Sequence, residues 1–133
     1  MSTVATIRPL TQPAEVEAAV ERSHRRPVWL FKHSLTCGIS ARAIREYQRF
    51  AAEQGEESEL LVLEIQNARP ASQAVEQSTG VRHESPQALL LAGGRAVWNA
   101  SHSRITQAAL AAAAAEARAG APVPGAPADP APA

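Results

Sequence analysis

The tetrapeptide Val28-Trp29-Leu30-Phe31 is apolar at every position. A strand that alternates polar and apolar residues can leave one face in water, but a strand that does not alternate must be covered on both faces. The run therefore predicts a central strand with helices above and below it. Glu59 to Ile65 reads as a second strand of the same kind. Between the two, Ile39, Ala43, Ile44, Tyr47, Phe50 and Ala51 share one helical face, while Arg42, Arg45, Glu46 and Arg49 share the other. Pro70 suits the first turn of a further helix and Gly80 its exit. Strand, helix, strand, helix in so short a chain predicts an α/β fold with a partly parallel sheet.

The flanking segments extend this frame. Thr11 before Pro13, with Val16, Ala19 and Val20 at helical spacing and Glu15 and Glu17 near the start, predicts a first helix of about three turns. Ala88 to Ala92 and Arg95 to Ala100 are joined by Gly93-Gly94, which predicts an antiparallel hairpin. The central sheet is thus expected to have about four strands, mixed in direction. Arg104 to Ala119 is alanine-rich and reads as a last helix, with Ser101 or Ser103 as its cap. Residues 120–133, GAPVPGAPADPAPA, offer little to a core and read as a disordered tail, so the domain is expected to span residues 1–119.

Charge and cysteine usage narrow the function. The 133 residues carry 13 basic and 13 acidic side chains, so no positive field is available for nucleic acid or an anionic membrane. No apolar run is long enough to cross a bilayer, and the opening residues do not resemble a secretory leader, so a cytoplasmic, monomeric protein is expected. The one cysteine, Cys37, excludes an internal disulfide and fits a reducing compartment.

Cys37 falls where the first buried strand hands over to an amphipathic helix. A thiolate there is favoured by unpaired backbone N–H groups and by the positive end of the helix dipole, and thiolate is the nucleophile of disulfide exchange. Lys32 and His33 lie just upstream, but strand alternation lets only one of them approach the sulfur. The competing reading makes Cys37 a small apolar filler. The second feature is His83-Glu84-Ser85-Pro86-Gln87 ahead of a strand. It is either a simple turn or a proline loop whose preceding backbone pairs with an extended substrate.

Three segments in order, Phe31-Lys32-His33-Ser34-Leu35-Thr36-Cys37-Gly38-Ile39-Ser40, His83-Glu84-Ser85-Pro86-Gln87 and Trp98-Asn99-Ala100-Ser101-His102, resemble the monothiol bacilliredoxins, thioredoxin-like proteins of the bacillithiol system. The resemblance runs from about Val28 to about Leu110. It implies a thioredoxin-like fold in which the proline loop faces the helix-mouth cysteine. It also implies reduction of mixed disulfides between protein cysteines and bacillithiol, or a similar low-molecular-weight thiol, with no bound cofactor. The partners so implied are S-thiolated client proteins and the small thiol itself. Cys37 is the expected nucleophile, Ser85 and Pro86 the platform for substrate backbone, and Thr36, Gly38 and Ile39 the source of N–H groups around the sulfur.

Lys32, His33, Ser40, His83 and Arg42 are expected in support. Bacillithiol carries carboxylates, which Arg42 and Arg45, or Arg25 and Arg26, would suit. The chain departs from the family pattern at Gly38, where proline is usual, so the first helical turn is less rigid here. Ser40 stands three residues after the cysteine, where dithiol redoxins have their second thiol, and cannot resolve a mixed disulfide.

Other chemistries are less well supported. His24, His33, His83, His102 and Cys37 match no compact zinc-ligand spacing. A Cys-His hydrolase could nominate His83 and Asn99 but has no local signature. The stronger alternative is a thioredoxin-like binding or adaptor module in which Cys37 is unreactive or is a passive site of thiolation.

Overall fold

The computed structural model describes residues 6–54 and 58–119. Its elements run β1 (Ile7–Pro9), α1 (Pro13–Arg22), β2 (Val28–His33), α2 (Gly38–Ala52), β3 (Glu59–Glu64), α3 (Arg69–Thr79), β4 (Gln87–Ala92), β5 (Arg95–Ser101) and α4 (Gln107–Ala119). Short 3-10 turns at Ile65–Asn67 and His102–Arg104 follow β3 and β5. The sheet has the order β1-β3-β2-β4-β5, parallel from β1 to β2 and antiparallel through β4 and β5.

Among the described residues the sheet has five strands, where about four were expected. The extra one, β1, is a three-residue edge strand ending in proline, paired with β3 from Ile7↔Leu60 to Pro9↔Val62. Proline cannot donate to a ladder and is tolerated at an edge, so so short a segment carries no strand pattern of its own.

The lack of alternation in β2 has the expected consequence. Trp29 and Phe31 pack with Ala43, Tyr47 and Phe50 of α2 and with Leu110 and Ala113 of α4. Val28 and Leu30 pack on the other face with Val16 and Ala19 of α1 and Ala71 and Val75 of α3. Two helices on each face leave β2 and β4 with no polar side, and burial of a single large side chain of this kind contributes about 1.5–3 kcal/mol. Tyr47 is fully buried and its hydroxyl donates to the Leu61 carbonyl at 2.9 Å, which satisfies its polar end.

The hairpin forms at Gly93 and Gly94, both with positive φ. Its tip is latched to the end of α1, the Gly93 and Gly94 N–H groups donating to the Ser23 carbonyl and hydroxyl oxygens at 2.8 and 2.9 Å. A Cβ at Gly94 would collide with the His24 imidazole. The last helix starts three residues later than Arg104, because Ser101 ends β5 and Ser103 lies in the 3-10 turn. Its cap is Thr106, whose hydroxyl accepts the Ala109 N–H at 3.1 Å, in place of either serine. Residues 120–133, expected as a tail, lie outside the described residues. Among the described residues no helix is long and apolar enough to cross a membrane.

Candidate active site

Strands β2 and β3 are parallel and β4 runs against them, so the C-terminal ends of β2 and β3 and the start of β4 meet at one end of the sheet. Cys37 is there, as N-cap of α2 with extended backbone (φ −109, ψ 124) and a partly exposed side chain. Its carbonyl accepts the Ala41 N–H at 3.1 Å, so the helix begins at the next residue. Gly38 is exposed in open space, and Thr36 and Ile39 are exposed on either side. Among the described residues Leu35 and Ile39 are the exposed large apolar side chains, each about half exposed, and they flank the cysteine in sequence.

The proline loop enters the same end. Ser85–Pro86 is a cis peptide bond, Pro86 is buried, and its carbonyl accepts the His102 N–H at 3.1 Å. Gln87 lies opposite Lys32, so Pro86 stands one step further along, level with His33 and on the α2 face of the strand. The Ser85 main chain makes no turn, loop or cap hydrogen bond among the described residues.

Alternation sorts Lys32 from His33 as expected. His33 follows Trp29 and Phe31 toward α2, where its Nδ1 lies 2.8 Å from Ser40 Oγ. Ser40 is fully buried and its hydroxyl oxygen accepts the Ser34 N–H at 2.9 Å. Ser40 Oγ thus bridges the Ser34 N–H and the His33 ring. Burial holds His33 below the ordinary imidazole pKa, against the opposing pull of Glu64, so the neutral ring is the form present at neutral pH. Ser40 therefore shapes the cysteine loop.

Lys32 points to the other face. It is fully buried, and its ammonium lies 3.1 Å from His83 Nδ1. Arg42 is exposed on α2, where its charge acts on Glu46. Arg25 and Arg26 precede β2 and so occupy the opposite end of the sheet. The four histidines separate: His33 goes to Ser40, His83 to Lys32, His102 to Glu84 and His24 to the hairpin. Among the described residues no three His, Cys, Asp or Glu side chains are grouped to hold a metal.

One contributor went unseen in the sequence. Gln66, in the turn after β3, accepts the Leu35 N–H through Oε1 at 3.0 Å and donates through Nε2 to Ser34 Oγ at 3.0 Å and Thr36 Oγ1 at 3.4 Å. A single amide thus holds all three residues ahead of Cys37. Nothing in a lone glutamine some thirty positions away signals that role.

A thioredoxin fold with a partly exposed cysteine at the mouth of α2, at the sheet end where the Ser85–Pro86 loop enters, is the arrangement of a thiol–disulfide oxidoreductase. The chain belongs to the monothiol bacilliredoxin (BrxC) family, whose profile matches residues 8–110. A solved structure described as a candidate oxidoreductase with a thioredoxin fold is 34% identical, covers 81% of this chain and 91% of its own, and superposes with a TM-score of 0.69. Thioredoxins share the fold at lower identity. That of Malassezia sympodialis is 11% identical (TM-score 0.69, covering 87% of this chain and 93% of that one). Spinach chloroplast thioredoxin f is 20% identical (TM-score 0.63, 89% and 99%).

Proposed function

We propose that this chain reduces mixed disulfides between protein cysteines and bacillithiol, or a similar low-molecular-weight thiol, through a mixed disulfide on Cys37. The Cys37 thiolate attacks the small-thiol sulfur. The old S–S bond breaks, its electron pair leaves with the client sulfur, and the client cysteine is reduced while Cys37 takes up the small thiol. Ser40 offers no second thiol, so release needs an external thiolate. That thiolate attacks the small-thiol sulfur, forms a small-molecule disulfide and returns Cys37.

The observation that supports this reading most is positional. Cys37, the sole cysteine and partly exposed, and the Ser85–Pro86 backbone lie at one end of the sheet. The exposed Leu35 and Ile39 suit an apolar rim for a client chain, and the Ser85 main chain would pair with that chain. A reducing, cytoplasmic setting suits this chemistry, and no bound cofactor enters it.

The test uses a protein bearing one cysteine thiolated with bacillithiol. Intact-mass spectra should show the adduct leaving the client and appearing on Cys37, and Cys37→Ser should abolish both events. Transfer that survives the substitution, or a wild-type Cys37 that never takes up the adduct, would leave the adaptor reading in its place.

A further inference from the structure

A cleft of about 220 Å³, walled by Ile65, Arg69, Ser72, Gln73, Glu76 and His83, opens on the α3 side of the sheet end that carries Cys37. Its wall residue Ile65 immediately precedes Gln66, whose amide hydrogen-bonds the cysteine loop at Ser34, Leu35 and Thr36. Arg69, Ser72, Gln73 and Glu76 are spaced i, i+3, i+4 and i+7 and so share one face of α3. Arg69 opens that helix and Glu76 lies two turns on, their backbone positions about 10 Å apart along the axis, a span that two long side chains can narrow.

Two buried polar groups underlie the wall. Lys32 is fully buried and Ser72 nearly so. The Lys32 ammonium lies 3.1 Å from His83 Nδ1, and Ser72 Oγ lies 3.4 Å from the same nitrogen. An ammonium can only donate, so Nδ1 accepts and the imidazole proton sits on Nε2, on the far side of the ring. Glu76 Oε2 accepts the His83 N–H at 3.1 Å, which ties the loop to α3. Among the described residues no carboxylate lies within ion-pair distance of Lys32. The Glu76 charge offsets only part of the cost of burying this cation, which contributes nothing to packing that a methionine could not.

We infer that this cleft seats a dipolar low-molecular-weight thiol, its carboxylate against Arg69 and its protonated amine against Glu76, with His83 Nε2–H between them. The inference rests on the thiol-exchange reading of Cys37 given above and names the part of the protein that recognises the small thiol. At the Arg69 end the positive end of α3 adds to the guanidinium. The Lys32 charge beneath His83 favours an acceptor over a donor at the centre. Glu76 makes the cleft unsuited to a simple anion and suited to a molecule with both charges.

Four small disulfides separate these terms: cystine with both charges, 3,3′-dithiodipropionate with carboxylates, cystamine with amines, and bis(2-hydroxyethyl) disulfide with neither. Their rates of adduct formation on Cys37, each normalised to the rate with free 2-mercaptoethanol, should be highest for cystine, with each matched charge contributing about fivefold. Arg69→Gln should erase the carboxylate advantage and keep the amine advantage, and Glu76→Gln should do the reverse. Both positions are exposed, and Glu76→Gln keeps a side-chain oxygen to accept the His83 N–H. Equal normalised rates, or a preference that both substitutions leave intact, would overturn the inference.

A second measurement does not depend on exchange. S-methylcysteine, which cannot form a disulfide, should shift the His83 imidazole signals in NMR spectra of the wild type and shift them less in Arg69→Gln. Unmoved signals would overturn the inference whatever Cys37 does. Shifted signals beside a Cys37 that exchanges with none of the four disulfides would sink the thiol-exchange reading and leave the cleft standing.

Discussion

The side-chain oxygen of Gln66 accepts the backbone N–H of Leu35 at 3.0 Å, so the turn that ends β3 holds the loop that delivers Cys37. The same amide reaches Ser34 and Thr36. The cysteine's position is therefore set from two strands at once, by β2 through the chain and by β3 through one side chain.

Gln66→Ala should free the loop without touching the sulfur. Adduct formation on Cys37 is expected to slow several-fold, while global stability falls by only about 1 kcal/mol, the net contribution of a partly exposed hydrogen-bonded group. Stopped-flow rates beside thermal unfolding check the split. A stability loss with an unchanged rate would show that the loop holds its shape unaided.

Gly38→Pro should stabilise the protein. Gly38 is the first residue of α2, where a missing N–H is tolerated, and Cys37 before it already has the extended backbone that a following proline requires. No atom lies within 4 Å of the position a Cβ would take. A gain of about 0.4–1 kcal/mol is expected from the reduced freedom of the unfolded chain, visible as a rise of a few degrees in Tm. A fall in Tm would mean that the Gly38 N–H has a structural role.

Glu59 should govern acid stability. Its carboxylate is almost wholly buried and faces Arg22 at 2.8 Å, Arg8 at 3.3 Å and Arg26 at 3.6 Å. Burial alone would raise its pKa, but the Arg22 hydrogen bonds and the three positive charges outweigh it and hold the group below the usual value. A depressed folded pKa contributes stability that is complete above the unfolded value of about 4.3 and is lost as pH falls through the folded one. Glu59→Gln should therefore cost about 2 kcal/mol at pH 7, with the two proteins converging below pH 4 in denaturant titrations.

Lys32 should show the opposite sign. Burial lowers its pKa to about 8, with the Glu76 charge offsetting part of the effect. The unfolded chain holds this proton up to about pH 10.4, so the penalty is complete below pH 8 and fades as pH rises toward that value. Lys32→Met should raise stability at pH 7 by on the order of 1–3 kcal/mol, and the gap should close near pH 10. A variant that is less stable at pH 7 would make Lys32 a structural ammonium.

Much of this was legible before any coordinates. Val28 to Phe31 announced a strand covered on both faces, Gly93-Gly94 a hairpin, and Cys37 the hand-over from that strand to an amphipathic helix, because each rests on local chemistry within a few residues. Ile7 to Pro9 did not announce β1, since an edge strand of three residues draws its identity from the pairing with Leu60 to Val62 and not from its own pattern. Thr106 displaced the two serines as the cap of α4 because β5 and the turn after it claimed them first.

Local periodicity thus determined which segments become helices and strands, which faces they bury and where the thiol lies along the chain, for these follow from backbone geometry and side-chain alternation. Tertiary structure alone decided that Gln66 holds the cysteine loop, that Lys32 turns away from the sulfur to meet His83, and that Arg69 and Glu76 face one cleft. Each of those needs groups that the chain holds far apart and only the packed sheet brings within hydrogen-bond or charge range.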